Sequence, residues 1–228
     1  TSLSLSFSLA DESMSQGPMQ AFYRDYWKQS IINAVAGEII GKRCQPGLEC
    51  EFFMASLLVD IGRLAMLKTI SREYYPVLVT YESQERQLFE VEHEFLGLDH
   101  SLVSYKLIEK WGLPDSMLQG IRLQHFSTET LFEELTPGKH VMEAAIVLSN
   151  AVGDYFNSSS SGLAIQRIRE LASHFFGIQG VEVDRYLEEV HQRIEAAGNL
   201  FDVDMSDIVS PSEIMSQANQ QLLELTCL

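Results

Sequence analysis

Apolar residues recur along this chain at the three- and four-residue spacing of amphipathic helices. Met19, Phe22, Tyr23, Tyr26, Trp27, Ile31, Ala34, Val35 and Ile39 form one such stripe behind Gly17-Pro18, and its breadth predicts a central helix. Gly41 and Gln45-Pro46-Gly47 are expected to end it. Leu48 to about Ile70 reads as the next helical unit. Tyr74-Tyr75-Pro76 then predicts a break or kink, followed by a short helical piece near Val77 to Tyr81.

Ser83 is a candidate N-cap for a charged helix running to Phe95 and stopping at Gly97. Asp99 caps another, with Leu102, Val103, Leu107, Ile108 and Trp111 as its expected inner stripe. Gly112-Leu113-Pro114 is a tight connection, and Pro114 opens a helix that carries Met117, Leu118, Ile121 and His125. Thr136-Pro137-Gly138 starts a helix through about Phe156. Asn157, Ser158 to Ser161 and Gly162 form a loop, and helices follow over roughly Leu163 to Phe176 and Val183 to Ala197. Glu213 to Leu225 reads as a separate helix after Ser210-Pro211, too short at two heptads to establish a coiled coil. Leu3, Leu5, Phe7 and Leu9 alternate with a period of two, a strand signal, but nine serine-rich residues are too few to carry it, and the segment is read as helical. The fold class is therefore all-α.

Composition narrows the function classes. With 228 residues, 46% of them hydrophobic, the chain is long enough for one substantial core with a smaller appendage. Sixteen basic against 32 acidic side chains give a formal net charge of −16, which repels a phosphate backbone, so no nucleic-acid partner is expected. No uncharged run approaches the roughly 20 residues that span a bilayer. Cys44, Cys50 and Cys227 lack the spacing of a metal site and read as free thiols of a reducing cytoplasm. No phosphate-cradling glycine loop, dinucleotide fingerprint or nucleophile elbow is present.

One residue stands out chemically. Asp60 is the only carboxylate of the apolar stretch Phe52 to Leu64, where an ionised group needs a partner such as Arg63 or a backbone N–H, or else a polar cavity.

Leu57-Leu58-Val59-Asp60-Ile61-Gly62-Arg63-Leu64 resembles the signature of the HD superfamily of metal-dependent phosphohydrolases, with Val59 where the His of the His-Asp pair would stand. Gly97-Leu98-Asp99-His100, Leu107, Trp111-Gly112-Leu113-Pro114 and Ile121 to His125 together resemble the central stretch of an HDOD domain, the related helical output domain. Tyr26-Trp27-Lys28-Gln29-Ser30 is similar to that family's early helix, and Asn150 falls where active HD enzymes place a final Asp. The resemblance spans roughly residues 1–200 and implies an HD-domain-like helical bundle whose preceding lobe is missing, with residues 201–228 as a linker and a signalling-type extension helix.

An HD centre needs imidazoles and carboxylates converging on metal, which polarises the phosphoryl group and lowers the pKa of the attacking water. The resembling positions here are Gln29, Val59, Asp60, Gln124 and Asn150, and amides are poor substitutes for imidazole toward a transition metal. His100 and His125 align with histidines common in the family. The ordinary reading of His100 is a helix-start residue bonded to Asp99 or a carbonyl, and that of His125 a satisfied core histidine. If Asp60, His100 and His125 converge, they form a vestigial metal site. His93, between Glu92 and Glu94, is placed on a solvated face.

The resemblance thus implies a noncatalytic regulatory domain of a bacterial multidomain protein, without cofactor, acting through protein partners or adjacent signalling domains. Such a domain can precede a diguanylate cyclase, and Asn219 to Leu225 resembles the helix that leads into one; that helix is also a candidate for homodimerisation. The alternatives are a metal-dependent phosphohydrolase acting on a nucleotide or cyclic dinucleotide, and a cavity near Asp60 that binds a small effector without turning it over.

Overall fold

A computed structural model describes residues 17–84, 86–157 and 161–216, and among these it contains eleven α-helices and no strand. The Leu3 to Leu9 alternation, Cys227 and all but the first turn of the helix expected after Pro211 lie outside the described residues, as do residues 158–160 of the serine loop.

Helix α1 (Gln20–Cys44) is central, as its broad stripe predicts. Fourteen of its 25 residues are buried, against α2 (Glu49–Leu57), α9 (Val141–Asn157) and α11 (Val181–Leu200). Gly41 does not end this helix. It is a packing residue: a Cβ there would lie 2.6 Å from the Phe52 ring, so its hydrogen lets α2 approach. The chain leaves the helix only at Gln45.

The unit expected from Leu48 to Ile70 is two helices, α2 and α3 (Ile61–Thr69), separated by a turn at Leu58–Asp60. No glycine or proline marks that break; tertiary packing makes it. Gly62 sits so close to α6 (His100–Trp111) that a Cβ would meet the His100 carbonyl oxygen at 2.0 Å, and its N–H donates to Ser104 Oγ at 2.8 Å. Gly62→Ala is therefore expected to destabilise the fold by about 1–3 kcal/mol, as overpacking does, measured by urea unfolding.

Pro76 does not break its helix either. Helix α4 (Ser71–Glu82) runs through it, with Tyr74, Val77 and Leu78 buried on its inner face. Ser83 ends α4 and does not cap the next helix. The cap of α5 (Leu88–Leu96) is Gln87, in a reciprocal capping box with Glu90, and Gly97 closes that helix in the left-handed conformation, at φ 71°.

The inner stripe of α6 is rotated from the one its apolar residues suggest. His100, Ser104 and Ile108, four residues apart, face inward, whereas Leu102 is 50% exposed and Trp111 is exposed as well. Helix α7 (Asp115–Leu123) ends before His125, with Gln124 at its C-cap. The short α8 (Thr128–Glu134), which the sequence pattern did not announce, precedes α9, and α10 (Ser161–Phe176) and α11 complete the bundle.

Two apolar clusters meet at α1. One joins Ile31, Ile32 and Val35 to α9, α10 and α11; the other joins Phe22 and Tyr26 to α3 and the helices from α4 to α7. Each fully buried side chain such as Ile32 stabilises by roughly 1.5–3 kcal/mol. Met205 and Ile214 are buried in the first cluster, so residues 201–214 lie on the same core.

Candidate functional site

Polar groups from α1, α3, α4, α6 and α9, with Gln87 and His125 from the connections, surround a cavity of about 40 Å³. Gln29, Asp60, His100, His125 and Asn150, which the resemblance singles out, all line it, together with Arg63, Phe89 and Asp154. Val59 and Gln124 do not. Val59 is wholly buried in the apolar core, and Gln124 is buried beside the cavity with neither side-chain amide atom hydrogen-bonded.

Asp60 is 2% exposed and sits at the backbone cap position of α3, yet its carboxylate makes no capping bond. It turns toward α6, where Oδ1 lies 3.5 Å from His100 Nε2, an ion-pair distance without a hydrogen bond. Arg63, the partner its position suggests, is engaged elsewhere: Nη1 donates to Gln29 Oε1 at 2.7 Å, and Gln29 Nε2 donates to Asp154 Oδ1 at 2.9 Å. That chain of bonds ties α3 to α1 and α1 to α9. Asn150 pairs with Asn33 of α1 at 3.3 Å.

His100 is the hub. It does not bond to Asp99, whose carboxylate caps α6 by accepting from the Leu102 N–H and the Ser101 hydroxyl. Its main partner is Glu92, fully buried on α5, whose Oε2 accepts from both the His100 backbone N–H at 2.8 Å and Nδ1 at 2.6 Å. The Tyr74 hydroxyl donates to the other oxygen of Glu92. On the far side of the ring, Nε2 is 3.0 Å from His125 Nε2, and the His125 ring stacks on Phe89 at 4.4 Å. His125 is thus a bonded histidine of the site, whereas His93 is exposed, as the charged flanks of its helix suggest.

Electrostatics follow from this arrangement. Burial alone would lower the His100 pKa, but Glu92 and Asp60 outweigh it and hold the imidazole protonated, with its pKa raised to about 10. Burial and the adjacent His100 charge lower His125 to about 3, so it stays neutral and accepts from His100. Burial opposes ionisation of Asp60, yet the close approach and charge of His100, with Arg63, keep its carboxyl below the usual range. Asp154 moves the other way: burial and the Asp60 charge raise it to about 6.

The convergence of Asp60, His100 and His125 does not fit a metal. Both His100 ring nitrogens are already bonded, Nδ1 to Glu92 and Nε2 to His125, whose own Nε2 is taken up by that bond, and Val59 supplies no ligand atom. Among the described residues no group of three or more His, Cys, Asp or Glu side chains is arranged to hold a metal ion.

Glu92 is the functional residue that sequence reasoning missed, because Glu92-His93-Glu94 looks like a solvated run. The available signal was its spacing: Glu92 lies four residues after Leu88 and next to Val91, on the buried stripe of α5.

A family model described as the HDOD domain matches residues 1–127, more than half of the chain. The chain belongs to the HDOD family. The match includes Gln29, Asp60, Glu92, His100 and His125, while Asn150 and Asp154 come from α9 beyond it. An HDOD domain protein of unknown function from Geobacter sulfurreducens superposes with a TM-score of 0.58 at 16% identity, over 78% of this chain and 62% of that one. The MmoQ response regulator from Methylococcus capsulatus strain Bath gives 0.57 at 24% identity, over 75% of this chain and 64% of its own. The HDOD chain therefore spans somewhat under two thirds of either solved structure, and the likeness shows the fold. No curated protein is significantly similar to it in sequence.

Proposed function

We propose that this HDOD chain is a noncatalytic regulatory module of a bacterial signalling protein, acting through contacts with partner proteins or adjacent domains. The observation that carries this reading is the network around His100: the imidazoles that would serve phosphohydrolase chemistry are bonded to each other and to Glu92. The substitutions at the related positions, Gln29, Val59, Gln124 and Asn150, support it. So does the cavity, since about 40 Å³ accommodates a few waters, whereas small-molecule sites run to roughly 300–1,000 Å³. The name of the structurally similar response regulator is in keeping with a signalling role. Free, exposed Cys44 and Cys50 suit a reducing cytoplasm, and no helix among the described residues is long and apolar enough to cross a membrane. The chain beyond residue 216 is the candidate route to an output domain such as a diguanylate cyclase, or to a second copy.

One observation favours a metal-dependent phosphohydrolase instead: Asp60 Oδ1 is buried and has no hydrogen bond, as a vacated ligand would be. Metal analysis together with a hydrolysis screen of nucleotides and cyclic dinucleotides separates the two. The expected result is substoichiometric metal and no turnover. Stoichiometric metal, with turnover abolished by Asp60→Ala, would overturn the noncatalytic reading.

A further inference from the structure

Residues 201–211 cross the bundle as an irregular strap between α11 and the final helical turn at 211–216. Little holds them. Within the strap only Met205 and Pro211 are buried, and Asp202 has φ 56°, a left-handed conformation unfavourable to a residue with a Cβ. Further contacts come from α1, α2 and α9. Phe201 stacks on Trp27 of α1 and on Phe53 of α2, with ring centroids 6.5 and 6.3 Å apart. Next to Trp27, Lys28 is 5% exposed and extends its ammonium to the Asp207 carboxylate, 2.5 Å from each oxygen, although the Asp207 side chain is 64% exposed. At the end of the strap the Tyr155 hydroxyl of α9 donates to the Pro211 carbonyl at 3.4 Å.

Both anchoring residues are immediate neighbours of pocket residues. Lys28 adjoins Gln29, and Tyr155 adjoins Asp154. Successive side chains on a helix diverge by about 100°, so α1 and α9 each present one residue to the pocket and the next to the strap. The Gln29–Asp154 bond joins the same two helices across the pocket. A small turn or shift of either helix that accompanies loss of this bond moves Lys28 or Tyr155 with it. Both carboxylate oxygens of Asp207 lie 2.5 Å from the Lys28 ammonium, so displacement of Lys28 or of the strap breaks the pair.

We infer that the strap reads the state of the pocket: breaking the Gln29–Asp154 bond loosens residues 201–211 and releases the chain that continues beyond them. This coupling is indifferent to whether the pocket catalyses a reaction. It rests on the contacts of Gln29, Asp154, Lys28 and Tyr155 alone.

Hydrogen exchange read by mass spectrometry on the whole chain tests it. Asp154→Ala removes the acceptor, and Asp154→Asn keeps an oxygen for Gln29 to donate to. Asp207→Asn, which weakens the strap directly, supplies the reference for a loosened strap. The expected result is that exchange over residues 201–211 rises about tenfold or more in Asp154→Ala, approaches that of Asp207→Asn, and returns toward wild type in Asp154→Asn, while the interiors of α2 and α11 are unchanged. Gln29→Ala breaks the same bond from the other side and replaces Asp154→Ala if that variant does not fold. Strap exchange equal to wild type, or a rise spread evenly over the whole chain, would overturn the inference.

Discussion

Replacing Glu92 with alanine is expected to lower the unfolding free energy by about 3–5 kcal/mol, the cost of leaving a buried charge without its partner. Three donors converge on this carboxylate: the Tyr74 hydroxyl, the His100 backbone N–H and His100 Nδ1. None has an evident replacement, because Glu92 and His100 are both buried. Truncation leaves a cationic ring, a hydroxyl and an amide all unsatisfied, and opens a void between α5 and α6. Glu92→Gln keeps the volume and one acceptor oxygen but loses the charge, so a smaller loss of about 1–3 kcal/mol is expected. Urea unfolding at neutral pH measures both. A loss below about 1 kcal/mol for the alanine variant, the range of an ordinary surface change, would show that Glu92 does not hold His100 in place.

The helical architecture was legible because the apolar spacing of α1, α9, α10 and α11 is regular and their buried faces are wide. The errors have physical causes. Nothing in the continuous apolar run from Phe52 to Leu64 marks the turn before α3, since that turn is imposed by Gly62 closing on the His100 backbone, a contact 38 residues away in sequence. The phase of α6 was misread because Leu102 and Trp111 are apolar yet exposed, while His100 and Ser104 are polar and buried. Helix α8 buries only Leu131 and so leaves little periodic trace.

The site was half legible on the same grounds. Asp60, His100 and His125 stand out by type and by the family resemblance, and they do meet. Their partners do not stand out. Glu92 was hidden in a charged run, Asp154 follows a long apolar stretch as though it ended it, and Arg63, one of the alternatives offered for Asp60, bonds Gln29. Which carboxylate a buried histidine pairs with depends on how three helices cross, and single-chain spacing does not carry that information.

The two histidines are expected to contribute most to stability near pH 6.5 and to withdraw that contribution on either side for opposite reasons. In the unfolded chain both titrate near 6.5. His100 titrates at about 10 when folded, so the native state holds a proton that the unfolded state releases first. Its contribution is therefore fully present below pH 6.5 and is lost as pH rises toward 10, on the order of 3–4 kcal/mol by pH 9.5. His125 titrates at about 3 when folded, so the unfolded chain binds a proton that the native state refuses. His125 accordingly lowers stability as pH drops from 6.5 toward 3, Asp154, raised to about 6, opposes that loss between about pH 6 and 4 because the native state takes up its proton first, and below about pH 4 the depressed carboxyl of Asp60 adds to the fall. Urea unfolding at intervals from pH 4.5 to 9.5 traces both limbs. His125→Asn leaves an oxygen able to accept from His100 and removes one group that titrates, so stability at pH 5 should rise relative to that at pH 6.5 when compared with wild type, while the alkaline decline is kept. A wild-type stability that stays level from pH 6.5 to 9.5 would mean that His100 is not held as a cation, and the assignment of both its nitrogens as donors would fall with it.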